Sequence, residues 1–187
     1  MSMPMSIFRV AMAALGYSTR LSLTTLELHF LGMYSPGFFA GSMIKKFGTE
    51  IISSWGSVLF AFGLLANLLS RGEENGTPAS WIMGLIFLGV GWHLTFASAT
   101  VMLAKTYEGT PHEARRVQSF NDIIMFGTSG SLNVATGYIY SAGRSDINGW
   151  RLVNFVVAGL LIANVKLLFF EKQRNKRINS VNEFTTT

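Results

Sequence analysis

The chain has no cysteine, which excludes disulfides, a thiolate-ligated zinc and thiol nucleophiles. Charge is scarce too. Asp, Glu, Lys and Arg make up 13% of its 187 residues, about half the roughly 25% of a soluble domain. Neither metal-ligand spacing, a phosphate-cradling glycine loop nor a nucleophile beside a base occurs. The glycines at 84–91 sit inside an apolar run rather than after a strand. The sequence therefore points away from an enzyme, and calls for no metal and no cofactor.

What is abundant is apolar, 49% of the residues, and it is gathered into long blocks. Spanning about 30 Å of hydrocarbon takes roughly 20 residues at 1.5 Å each. Five blocks suffice: 21–44, 51–70, 81–104, 117–140 and 150–170. An opening block, 1–15, is shorter; Arg9 interrupts it and no basic stretch precedes it, unlike a signal peptide. It reads as the remaining part of a helix. The expectation is one all-α domain, a polytopic bundle of about six transmembrane helices, with a basic tail over 171–187.

The net charge of +5 is arranged for a bilayer, not for nucleic acid. Lys45, Lys46, Lys105, Arg115, Arg116 and the cations of the tail fall on one side of the expected topology. Single arginines, Arg20, Arg71, Arg144 and Arg151, fall on the other. By the positive-inside rule the first set and the C-terminus are cytosolic, in a plasma or cell inner membrane. Lys166, one turn from the end of its span, can snorkel to that surface.

Gly41-x-x-x-Lys45-Lys46-x-Gly48 resembles the cytosolic loop motif of the major facilitator superfamily, G-x-x-x-D-[RK]-x-G-[RK]-[RK]. Gly41, Lys46 and Gly48 fall on matching positions. Lys45 stands where the motif has an acid, and Thr49 and Glu50 where it ends in a basic pair. Segments 27–41, 91–103, 115–130 and 149–155 are similar, in order, to late helices of facilitator permeases. The resemblance implies helices seven (partial) to twelve of a twelve-helix secondary transporter, moving a small solute by alternating access. It further implies a missing N-terminal half or a second copy, and a cytosolic gating loop at Gly41, Lys45, Lys46 and Gly48. Glycine at 41 would admit a neighbouring helix, and Gly48 would permit the turn.

Polar groups inside spans are costly and default to sites. His29 and His93 are such groups, and Trp92 beside the latter would add an aromatic wall. In the fourth full span Gln118, Asp122, Met125, Ser129, Asn133 and Thr136 recur at three- and four-residue steps, and so share a helix face. The expected substrate cavity thus comprises His29, Trp92, His93, Asp122, Ser129 and Asn133, with proton coupling through His93 or Asp122 or simple uniport. Arg9 should also point into it. Small residues, Gly91, Thr95 and Ala99 in one span and Gly127 and Ser131 in another, suit close helix packing. Packing histidines and interhelical amide bonds would serve equally well a second reading, a non-transporting membrane scaffold assembled through its helices.

Overall fold

In a computed structural model, the chain is described over residues 1–72, 74, 77–105 and 111–185. Its side chains are described up to residue 166, that of residue 111 excepted. Among these residues it is all helical: α1 (Ser2–Ala14), α2 (Thr19–Tyr34), α3 (Gly37–Phe47), α4 (Thr49–Leu68), α5 (Ala79–Lys105), α6 (Pro111–Ser141) and α7 (Asp146–Thr185). Three are long and apolar enough to cross a bilayer: α4, α5 and 146–166 of α7.

The expected block at 21–44 is not one helix. Its break lies at Ser35-Pro36-Gly37, where Pro36 has no N–H to continue the α2 ladder. The chain restarts at once, with Ala40 N–H donating to the Pro36 carbonyl over 2.7 Å. The last helix also runs further than its apolar block: helical backbone continues through the expected tail to residue 185.

The turns are locally specified. At the end of α1, Gly16 takes φ +95°, Gly16 N–H donates to Ala13 O, and Tyr17 N–H donates to Met12 O. These paired bonds form a Schellman cap. Ser18 then caps α2, its Oγ accepting from Leu21 N–H over 3.3 Å. Between α3 and α4 a single residue, Gly48, makes the turn at φ +88°, a conformation that side chains resist.

Helix α5 is the axis of the bundle. Its residues from Gly84 to Ser98 are all buried or half-buried, and α4 and α2 lie along it. The α4–α5 crossing is a backbone contact. A Cβ at Gly56 would stand 2.8 Å from the Gly91 carbonyl oxygen, and one at Gly91 would stand 2.7 Å from that of Gly56. Lipid gives helices no hydrophobic reason to associate, so such meshing carries the packing. Ala99, expected on this face, is exposed.

Three apolar clusters fill the bundle. One joins Phe8 and Met12 of α1 to Tyr17, Trp81 and Trp150. A second joins Met3, Phe60, Leu64, Leu88, Val153 and Val157. The third ties α3 to α4 and α5 through Ala40, Ile44, Ile52 and Leu94. Amides staple the interior: Asn67 Nδ2 donates to Asn154 Oδ1 over 3.1 Å, and Trp150 Nε1 donates to the Asn67 carbonyl over 2.9 Å. Asn164, by contrast, is exposed.

Candidate functional site

The six expected cavity residues do not converge. His29 is enclosed between α2 and α5, 1% exposed, with Nδ1 2.7 Å from the Leu85 carbonyl oxygen. It lines no open cavity, because the α2–α5 crossing closes over it; its Nε2 is buried without a partner. Trp92 and His93 diverge, as adjacent helical positions must. Trp92 packs against the second apolar cluster and stacks on Phe96 at 4.9 Å. His93 lies instead against α3, where a Cβ at Gly37 would meet its Cε1 at 3.3 Å.

The α6 stripe is real but turned partly inward. Gln118, Asp122, Met125 and Ser129 are half-buried and Thr136 is buried, its hydroxyl donating to Leu132 O over 2.7 Å. Gln118 Nε2 donates to Asp122 Oδ1 over 2.8 Å, so that carboxylate is engaged within its own helix. Asn133 alone of the predicted α6 set is exposed. It lies on the flank of the stripe, near Gly130 and Gly137, where an added Cβ would meet nothing within 4 Å. Gly127 is equally open. Ser131, expected with it on a packing face, is exposed, its hydroxyl returned to the Gly127 carbonyl.

A polar face nevertheless exists. On α1, Ser6 and Arg9 are exposed beside Val10; on neighbouring α2, Thr24 and Glu27 are exposed between Leu23 and Leu31. Counted at 1.5 Å per residue, Arg9 lies about 8 Å from the end of α1 and Glu27 about 12 Å from the start of α2. Opposite charges thus stand at similar depth on adjacent helices. Helix α4 offers the reverse. Its outward face is mainly large and apolar, with Ile51, Trp55, Val58, Phe62 and Leu65 exposed and Leu69 just beyond its end; Glu50, Ser54 and Ala61 are exposed as well. The large apolar residues fall at alternating four- and three-residue steps, which is a lipid-facing stripe.

In the loop between α3 and α4, Lys45 and Lys46 are exposed in the last turn of α3, where cations complement the helix dipole. Lys46 Nζ sits 5.2 Å over the Phe47 ring, and Phe47 in turn meets Trp55 at 5.3 Å. Gly41 is exposed, and among the described residues no atom lies within 4 Å of where its Cβ would be, so none of the described helices packs against it there. No group of three or more His, Asp or Glu side chains is placed to hold a metal among the described residues.

Sequence reasoning pointed Arg9 into the cavity but gave it no partner. The common feature of Arg9 and Glu27 is unpaired charge on adjacent helices, which only the α1–α2 packing makes visible.

Comparison with curated proteins finds a riboflavin transporter of Brucella anthropi, 34% identical over 158 residues. The match takes in 84% of this chain and 36% of the relative, so the chain spans about a third of the length of the curated relative it matches. No protein-family model matches the chain, and no solved structure does so with statistical support. The apolar helices and this similarity together make the chain a multi-pass membrane protein.

Proposed function

We propose that this chain supplies one wall of the transport path in a secondary transporter of the major facilitator type, with a riboflavin-like solute as cargo. The observation that carries the reading is the exposed polar face of α1 and α2, with Arg9, Thr24 and Glu27 free of the chain's own packing. Such groups do not belong in hydrocarbon, whereas the outward stripe of α4 does. A second six-helix half, on the same polypeptide or as another subunit, covers the polar face and completes the site near the bilayer midplane. The two halves then rock around it.

In this arrangement Asn133 and Ser129 of α6 reach the cavity from one side, and His93 reaches it where α5 meets the α2–α3 break. A flat heteroaromatic solute offers many hydrogen-bond donors and acceptors and little charge. Amide, hydroxyl and imidazole groups suit it, and one Arg–Glu pair can orient it. Gln118 and Asp122 sit nearer the cytosolic end, where Asp122 is the carboxylate available for proton coupling. His29, shut away from solvent, sets the α2–α5 distance instead. Gly41, Lys45, Lys46 and Gly48 form the cytosolic gating turn, and the C-terminus is cytosolic. The protein is a carrier, not an enzyme.

Uptake of labelled riboflavin by the transporter containing this chain tests the reading. Glu27→Gln and Arg9→Gln each reduce uptake by about ten-fold, the scale of one charge-assisted hydrogen bond, at unchanged membrane level. Trp55→Leu on the lipid stripe leaves uptake intact. Full uptake by both charge variants would defeat the assignment.

A further inference from the structure

At the end of the bundle remote from Lys45 and Lys46, a cavity of about 680 Å³ opens between the end of α1, the α4–α5 connection and the first turns of α7. Its lining includes Gly16, Arg71, Glu74 and Arg151. We infer that this cavity binds a phosphate group, held between the guanidinium groups of Arg71 and Arg151.

The argument rests on how the two arginines are held and what they lack. Trp81 Nε1 and the Tyr17 hydroxyl both donate to the Arg71 carbonyl, each over 3.1 Å, and this fixes the backbone from which the Arg71 side chain leaves. Arg151 follows Trp150, which is fully buried and bonded to Asn67 O. Both cations therefore start from rigid points, as a preorganised site requires.

Arg151 Nε is buried with no hydrogen-bond partner. Glu74 also lines the cavity, yet no ion pair joins it to either arginine among the described residues. Among the described lining residues, two guanidinium groups stand against one carboxylate, a net positive balance.

Guanidinium presents parallel donors that match a phosphate's oxygens in a fork, and it is less strongly hydrated than an ammonium. The volume lies within the usual range of ligand pockets, about 300–1,000 Å³, and so admits a phosphate with an organic group attached. The phosphate can arrive free in solution or on a lipid headgroup. This site is separate from the polar face of α1 and α2, and does not depend on the transport reading.

Binding to the chain in detergent micelles decides the matter, with inorganic phosphate and phosphatidylglycerol as separate probes and phosphatidylcholine as the zwitterionic reference. Wild type binds at least one of the two anionic probes saturably. Arg71→Gln/Arg151→Gln weakens that binding by roughly ten-fold or more, while Arg20→Gln leaves it unchanged. Loss confined to phosphatidylglycerol identifies the lipid as the source; loss of inorganic phosphate binding identifies a soluble ligand. Arg71→Gln alone alters an exposed side chain, so its partial loss of binding, in a chain of unchanged helicity, guards against misfolding of the double variant. Equal binding by wild type and double variant, or no saturable binding of either anion by wild type, overturns the proposal.

Discussion

Helices α4 and α6 are both long, but they relate differently to the rest of the chain. Helix α4 is pressed into α5 through Gly56 and Gly91, and turns a stripe of large apolar residues outward. Helix α6 rests on α1 and α7, and its glycines at 127, 130 and 137 face open space. A glycine earns its place in a span through what approaches it. On α4 and α5 the approaching backbone belongs to this chain. At those three α6 positions no described atom of the chain comes within 4 Å of an added Cβ.

Three measurements put that contrast at risk. The largest effect belongs to the lipid stripe. Val58 lies midway along α4 and is 54% exposed; Val58→Lys should cost about 3 kcal/mol, the scale for a lysine at a membrane-helix centre. Asn133→Lys on exposed α6 should cost distinctly less. Both are read as the fraction of chain inserted into microsomes, and equal losses would erase the difference between the two faces.

Next comes the single methyl test. Gly91→Ala forces a Cβ within 2.7 Å of the Gly56 carbonyl oxygen, and should lower stability in mixed-micelle unfolding by about 1–3 kcal/mol. Gly127→Ala meets nothing and should leave the midpoint unchanged or slightly raised. The smallest effect is the amide staple: a double-mutant cycle on Asn67→Leu and Asn154→Leu should give a coupling near 0.6 kcal/mol. A coupling of zero would mean that the bond across 3.1 Å contributes nothing to joining α4 and α7.

Much of the architecture was legible because hydrocarbon imposes it. The apolar blocks became helices, and polar segments with glycine became turns, as at Gly16 and Gly48. The break at Pro36 was written in Ser35-Pro36-Gly37, but block length obscured it: 21–44 is long enough to span, and a window of mean hydropathy passes over one proline.

The site was less legible. Periodicity put Asp122, Ser129 and Asn133 on one face of α6, yet could not say whether that face met α1, α7 or open space. His29 and His93 look alike in sequence. One is sealed under α5 and the other abuts Gly37, a difference set by crossing angles no spacing encodes. Arg71 and Arg151 counted only toward topology, because eighty residues separate them and only folding brings them to one cavity.

The meshing of Gly56 with Gly91 also limits how this assembly can move. Sliding α4 along α5 by one residue's rise, about 1.5 Å, would drive the Phe60 backbone, now 2.7 Å from a Gly91 Cβ position, into its neighbour. The pair is thus a strut without axial play. Any rearrangement that exposes first one mouth of the bundle and then the other must turn the strut as a whole, and where α3 meets it the bending falls on the one-residue corner at Gly48.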